Sequence, residues 1–443
     1  MFNKYKFLVA GVNTKVPLKN KKMVNYINFD NAATTPPFMS VLKEILSFSN
    51  WYSSIHRGKG YKSQLSSDLY DESREIVANF VGADINDKEI IYVKNATEAI
   101  NMLSNILRKD NSNSVVLSTC MEHHSNDLPW RKGNIDYVKI DDLGRLDLND
   151  LEQKLIKYDG DVKLVTVTGV SNVTGYKNPI HKIAKIAHKY NSKILVDGAQ
   201  LVPHTKVNMK SVNSPDHIDY LVFSAHKMYA PFGSGVLIGP KSTFQKNGPD
   251  YVGGGTVDIV TPETVIWADP PDKDEAGTPN LMGVIALTKA IKTLSLINMK
   301  NLEKYEDNLL HYAMRSMKHI PDIKIYGDTD NIKDRTSIVP FNIEGISHEA
   351  VAKMLSAEYG IGVRNGCFCA QPYIQNLLNV SKEEIKEKML IPNSPKPGMV
   401  RVSFGIYNDF NEIDVLIKAL YKLVNNKQYY IDKYEDKNAI HRC

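Results

Sequence analysis

Between residues 89 and 227 the chain alternates short apolar runs with segments of helical spacing, and this alternation limits its fold more than any other feature. The runs 89–93, 114–119, 135–140, 162–168, 193–196 and 220–223 read as strands. Between them, sets such as Ile100, Leu103, Ile106 and Leu107 recur every three or four residues, the spacing of one helix face. Strands joined through helices run parallel, and a parallel sheet is covered on both faces. The expected class is therefore α/β.

In such sheets ligands bind beyond the carboxyl ends of the strands. Thr97, His123, Asn172, Asp197 and Lys227 each lie just after a strand candidate. Lys227 closes the stretch Ser224-Ala225-His226-Lys227, behind the apolar run 220–223 and ahead of the glycine-spaced run 232–239. A lysine at the end of a buried strand is costly to keep charged, so burial makes it a usable amine nucleophile. Singly, such a lysine is more often a surface residue, and an aspartate after a strand is more often a turn residue. Together these residues meet the needs of pyridoxal 5'-phosphate. Lys227 can hold its aldehyde, Asp197 can keep its ring nitrogen protonated, and His123 can stack on the ring. Thr97, at a helix start, can bind the phosphate with Ser224 and His226.

Composition excludes several other classes. With 42% hydrophobic and 24% charged residues, the 443-residue chain can bury a substantial core. A net charge of +5 is too small at this length to mark a nucleic-acid-binding surface. Cys120, Cys367, Cys369 and Cys443 are too few for a disulfide scaffold and fit a reducing, cytoplasmic setting. No apolar run approaches a membrane span, and Phe7-Leu8-Val9-Ala10 is too short for a signal-peptide core. No metal site is expected.

Residues 1–28 read as a basic, weakly structured extension packing with a small domain, and 29–285 as a large cofactor-binding domain. Residues 286–427 read as the small α+β domain, with strands near 322–326, 336–343 and 399–404. Residues 428–443 read as a polar, frayed tail. A long helix is expected from about 66 to 81, closed by Gly82.

A series of motifs runs in order through roughly residues 27–425. They are Asp30-Asn31-Ala32-Ala33-Thr34, Ile55-His56-Arg57-Gly58, Ala96-Thr97-Glu98-Ala99, Glu122-His123-His124-Ser125-Asn126, Ser171-Asn172-Val173-Thr174-Gly175, Asp197-Gly198-Ala199-Gln200, Ser224-Ala225-His226-Lys227, Gly253-Gly254-Gly255, Glu275-Ala276-Gly277-Thr278-Pro279-Asn280 and Arg364-Asn365-Gly366-Cys367-Phe368-Cys369-Ala370. In this order they resemble the class V, fold-type I enzymes that use pyridoxal 5'-phosphate, in particular the cysteine desulfurase and selenocysteine lyase branch. The resemblance implies a large domain with a mainly parallel seven-stranded sheet covered by helices, a small α+β domain and a homodimer. It implies Lys227 as the Schiff-base lysine, Asp197 as the ring-nitrogen partner, Gln200 as donor to the phenolic oxygen and His123 as the stacking acid/base group. Ala96, Thr97, Ser224 and His226 would bind the phosphate, and Thr278 would reach the phosphate held by the neighbouring subunit. Asn172 and Arg401 would hold the substrate carboxylate, Arg401 as a bidentate clamp, with Arg364 and His56 close by.

The same resemblance places Cys369 in the register of the loop cysteine that takes sulfur from L-cysteine as a persulfide, leaving L-alanine. Most free cysteines are small buried hydrophobes, but this one sits in a polar, glycine-containing loop near the cation of Arg364. Where the branch usually has histidines, this loop has Cys367 and Phe368, and Gly366-Cys367-Phe368-Cys369 resembles the loop of molybdenum cofactor sulfurases. Cys367 is open between resolving a disulfide with Cys369, relaying sulfur and being a bystander. The insertion 391–398 is also unusual for the branch. The expected activity is cysteine desulfurase, with L-cysteine as substrate and a sulfur-acceptor protein as partner. An aminotransferase, epimerase or selenocysteine lyase on the same scaffold, or a non-catalytic sulfur-transfer partner, are the alternatives.

Overall fold

The computed structural model describes residues 3–110, 114–390 and 396–435. Seven runs form its main sheet: β1 (Lys88–Val93), β2 (Val115–Thr119), β3 (Asn134–Val138), β4 (Val162–Thr168), β5 (Lys193–Asp197), β6 (Tyr220–Ser224) and β7 (Gly235–Pro240). Their order across the sheet is β3-β2-β4-β5-β6-β7-β1, and β7 alone runs against the rest. Side chains alternate between two apolar layers. Ile194 and Val196 enter one core while Leu195 between them enters the other, and Phe223 and Val222 divide in the same way. A strand buried on both faces has no polar side to show, which is why these runs are continuously apolar. The helices Ala96–Asp110 and Ile180–Lys189 pack against the sheet.

A second sheet contains β8 (Ile323–Ile325), β9 (Ile338–Ile343), β10 (Arg364–Gly366) and β11 (Met399–Ser403), in the order β8-β9-β11-β10 and wholly antiparallel. Its apolar residues Val339, Phe341, Val400 and Val402 form a separate core with the helices Met299–Met317, His348–Tyr359 and Phe410–Asn425. The preceding helix Leu281–Ile297 belongs to the first core and meets Met299–Met317 at a bend of 78°. Asn298 makes that corner with a left-handed backbone (φ +70°), and its side chain caps the second helix at the Lys300 amide.

Three expectations need correction. Residues 3–28 are not weakly structured. Lys15–Pro17 and Met23–Asn25 pair as a hairpin, Ile27–Asn28 pairs with Ile361–Gly362, and the Asn3 amide group donates to the carbonyls of Ile406 and Asn408. Residues 427–434 are a helix rather than a frayed tail, because Tyr430 is buried in the second core and Lys433 pairs with Glu358. The long helix begins at Tyr61, one turn ahead of the expected start, and ends at Gly82 in the left-handed conformation. The part of the proposed insertion at 391–395 and the end of the tail, 436–443, lie outside the described residues. Among the described residues no single helix is long and apolar enough to cross a membrane.

Candidate active site

The carboxyl ends of β1, β2, β4, β5 and β6 lie along one edge, and the segments leaving them carry Thr97, His123, Asn172, Asp197 and Lys227. Those residues line a cavity of about 400 Å³ together with Ala96, Gln200, Ser224, His226, Arg364, Cys369 and Arg401. His56 and Thr278 do not line it.

Asp197 ends β5 and Lys227 follows β6 through a single 3₁₀ turn, so an amine and a carboxylate leave neighbouring strands. The buried Asp197 carboxylate accepts one hydrogen bond, from the Ala199 amide at 2.9 Å. Burial pushes its pKa up, while the Ala199 bond and the Lys227 charge pull it down. Burial also lowers Lys227 to about 8; Asp197 opposes that shift and Arg401 adds to it.

The helix Ala96–Asp110 points its start into the cavity. The Asn95 side chain accepts from the Glu98 amide at 3.0 Å, the Ala96 amide donates to Ser224 Oγ at 2.8 Å, and Thr97 Oγ1 lies 2.6 Å from Ser125 Oγ. Among the described residues nothing accepts from the Thr97 amide, an orphan donor of the first turn. Gly235 of β7 makes this approach possible, because a Cβ there would sit 2.6 Å from Asn95 Cα. His226 adds a half-buried imidazole whose pKa is lowered to about 4 by burial and the Lys227 charge.

His123 follows β2. Its Nδ1 accepts from the Ser125 amide at 3.1 Å, and burial with the nearby cations lowers its pKa to about 3, so the ring is neutral. The loop beneath is anchored by the buried Glu122, whose oxygens accept from Thr119 Oγ1 (2.6 Å), the Thr168 amide (2.9 Å) and Asn126 Nδ2 (2.6 Å).

Arg401 reaches the cavity from β11. Nη1 donates to the Asn172 carbonyl at 2.7 Å, Nη2 to Asp30 Oδ1 at 3.2 Å, and the guanidinium lies 4.9 Å from the Phe368 ring centre. Among the described residues its buried Nε has no hydrogen-bond partner. Burial lowers Arg401 to about 10 despite Asp30. Arg364 is more exposed, with Nη1 3.7 Å from Asp30.

The Cys369 loop is tied down at three points. Asn172 Nδ2 donates to the Phe368 carbonyl at 2.7 Å, the His124 amide to the Cys369 carbonyl at 2.6 Å, and the Gln371 amide to His124 Nε2 at 3.2 Å. Phe368 and Cys369 are both left-handed, at φ +50° and +56°. Cys369 is exposed and borders a second, open groove of about 390 Å³ that includes Asn101, His124, Leu128 and Lys132. Cys367 is half-buried against the large core.

Several expected roles meet a different geometry. The Asn172 amide group spends one of its two N–H donors on the Phe368 carbonyl. Gln200 spends one N–H on the Ala32 carbonyl at 2.5 Å, and among the described residues its buried Oε1 has no partner. His56 lies outside the cavity because its left-handed backbone is fixed on the helix Tyr61–Val81; its amide donates to Ser67 Oγ at 2.8 Å and its ring meets the edge of Tyr70. Thr278 lines a separate cavity of about 600 Å³ that shares Lys94 and Gly233 with the first. Asp30, His124 and Ser125 carry no expected role above, and Phe368 is noted there only as a departure from the branch; all four stand inside quoted motifs, the one sequence signal that points to them.

The family model described as Aminotransferase class-V matches residues 27–416. A cysteine desulfurase of Wigglesworthia glossinidia brevipalpis is 34% identical over 94% of this chain and 97% of its own length. A probable cysteine desulfurase of Staphylococcus aureus is 35% identical over 90% of this chain and 92% of its own. The solved apo structure of a cysteine desulfurase from Thermococcus onnurineus superimposes with a TM-score of 0.81 at 31% identity, covering 94% of this chain and 98% of that one.

Proposed function

The chain belongs to the aminotransferase class-V family, and from that premise we propose that it is a pyridoxal-phosphate-dependent cysteine desulfurase with Cys369 as the sulfur-accepting nucleophile. The observation that carries the reading is the meeting of a desolvated lysine, a buried carboxylate and an exposed thiol in one cavity. The relatives named cysteine desulfurase support it.

The residues present fit the cofactor. Asp197 has an acceptor oxygen to spare for a protonated ring nitrogen, and Ser224, accepting from Ala96, keeps its own hydrogen to donate. The free Thr97 amide and the cradle opened by Gly235 suit a phosphate at a helix start. Neutral His123 can lie against an aromatic ring. When bound, pyridoxal phosphate supplies an aldehyde and an electron-withdrawing ring. Every other task falls to the chain. Arg401 binds the substrate carboxylate, and Lys227, its pKa lowered by burial to about 8, moves the α-proton. The Cys369 thiolate then attacks the substrate sulfur. An S–S bond forms, the C–S bond breaks with its electron pair left on carbon, and protonation of that carbon gives L-alanine. The balance is L-cysteine plus enzyme thiol to L-alanine plus enzyme persulfide.

A homodimer accounts for Thr278 and for an exposed apolar hairpin. Val257–Val260 and Val265–Trp267 present Ile259, Val260, Val265, Ile266 and Trp267 to solvent, a patch suited to a second copy. A sulfur-acceptor protein would meet Cys369 from the open groove at His124, Leu128 and Lys132.

The test is incubation of the holoenzyme with L-cysteine, intact-mass analysis and assay of alanine. A gain of one sulfur on Cys369 and stoichiometric alanine are expected. Cys369→Ala should keep the cofactor and lose sulfide release under reductant. Undiminished release by that variant would remove Cys369 from its role, and a keto acid or an inverted amino acid as product would replace the activity itself.

A further inference from the structure

We propose that Phe368 is a gate. It holds the Cys369 loop closed by occupying the groups that take the substrate carboxylate, and the carboxylate opens it. The inference rests on the reading of this cavity as an amino-acid site. Arg401 and Asn172 face it, and each already holds a partner within the protein. The Asn172 amide group donates to the Phe368 carbonyl at 2.7 Å, and the Phe368 ring covers the Arg401 guanidinium at 4.9 Å. Arg401 in turn donates to the Asn172 carbonyl, so the three residues form one closed unit. Arg401 Nε is buried and, among the described residues, has no partner. A carboxylate would satisfy that donor and take the Asn172 amide group from Phe368. The exchange replaces a neutral acceptor by a charged one, which makes the stronger hydrogen bond.

The backbone explains why release would move the thiol. Phe368 and Cys369 are consecutive left-handed residues, and neither is glycine. Each is disfavoured there by roughly tenfold or more. The bond to Asn172 is one of three polar tethers that hold them, beside the burial of the Phe368 ring in the large core. The other two, from the His124 amide to the Cys369 carbonyl and from the Gln371 amide to His124 Nε2, lie on the far side of the thiol. Losing the Asn172 tether leaves the Phe368 side of the loop held by packing of its ring alone, while His124 keeps the root of the loop in place. Carboxylate recognition and thiol delivery become one event, and the thiol stays parked when no amino acid is bound.

The experiment uses wild-type holoenzyme and L-alanine, the product, which carries the carboxylate but no sulfur. Its binding is read from the cofactor absorbance. Loop release is read from the rate at which iodoacetamide alkylates Cys369, followed by peptide mass so that Cys120 and Cys367 are scored separately. Saturating L-alanine should raise the Cys369 rate roughly tenfold, with the same half-saturation as the absorbance change. Phe368→Gly tolerates the left-handed backbone and lacks the ring. It should react fast without alanine, respond little to it, and show a KM for L-cysteine roughly five- to tenfold lower. An absorbance change with no rise, or a fall, in wild-type Cys369 alkylation overturns the gate and leaves the proposed activity intact. No absorbance change at all overturns the amino-acid site, and the gate with it.

Discussion

The charge state of Lys227 can be tested before any turnover. Burial lowers its pKa from 10.5 to about 8, against the pull of Asp197 and with the help of Arg401. At pH 7 a group of pKa about 8 is roughly one-tenth neutral, whereas one at 10.5 is neutral in about one molecule in three thousand. Only the neutral amine adds to an aldehyde, so attachment at pH 7 should be about 300-fold faster than for an unshifted lysine. The assay mixes cofactor-free protein with excess pyridoxal phosphate in a stopped-flow spectrophotometer from pH 6 to 10.5. The logarithm of the rate should climb with unit slope to about 8 and then level. Asp197→Asn supplies the second perturbation. It removes the charge that raises the lysine pKa, so the midpoint should fall further and attachment at pH 7 should quicken, although turnover is lost with the ring-nitrogen partner. A unit slope that persists through pH 10 would refute the desolvated lysine. A midpoint that rises in Asp197→Asn would refute the coupling between the two.

Three other perturbations follow from the packing around the site. Glu275 is buried, pairs with Arg74 through both nitrogens (2.9 and 3.1 Å), and accepts from Tyr70 Oη and the Tyr92 amide, each at 2.6 Å. Glu275→Ala leaves a buried guanidinium alone and should cost about 3–5 kcal/mol, read as a lower thermal midpoint, with Glu275→Gln less damaging. Gly235→Ala should weaken cofactor retention more than global stability, because the new Cβ pushes on Asn95 at the helix start; unchanged retention on gel filtration would count against the phosphate cradle. His188 has both ring nitrogens on acceptors, the Pro215 carbonyl and Asp219 Oδ2, each at 2.9 Å, so the full set of bonds needs its cationic form. The Asp219 bond raises its pKa. Its stabilisation is therefore complete below about pH 6.5 and lost as pH rises through the raised value. Burial pushes Asp219 up, but His188, His217 and the Ile194 amide hold it below the ordinary carboxylate range, so its share fades only in acid. Thermal midpoints of His188→Gln should be flatter than wild type between pH 6 and 8.5, and parallel curves would sink the assignment.

The sheet was legible because its strands are buried on both faces, which leaves continuous runs such as Ile194-Leu195-Val196 that only a parallel sheet or sandwich core needs. Strand direction was not legible. Gly235–Pro240 reads as an apolar run like its neighbours, and apolar periodicity carries no polarity along the chain. The first hairpin escaped notice because its strands are three residues long and only Val16 and Val24 turn partly inward. The last helix escaped because one buried side chain, Tyr430, anchors an otherwise polar segment.

The site divides differently. Residues that act at the end of their own strand, such as Asp197 and Lys227, could be placed from local pattern alone. Residues whose work is to hold another loop could not. The Asn172–Phe368 bond spans 196 positions and the Arg401–Asn172 bond 229, and neither leaves a local trace. There is a physical reason why the polar groups assigned to substrate prove to be engaged within the protein. A buried donor without a partner costs of the order of 1–3 kcal/mol, so a cavity that waits for its ligand does better to satisfy its donors internally. Asn172 does so through one N–H with Phe368, Gln200 through one with Ala32, and Arg401 through Nη1 and Nη2 with Asn172 and Asp30, its Nε being the exception. Binding at such a site exchanges one acceptor for another, and its specificity depends on whether the incoming group outcompetes the resident one. A charged carboxylate does so against a peptide carbonyl, whereas an amide or ester of the same amino acid is neutral and gains little from the exchange. L-alanine should therefore displace Phe368 where L-alaninamide does not, at equal reach into the cavity.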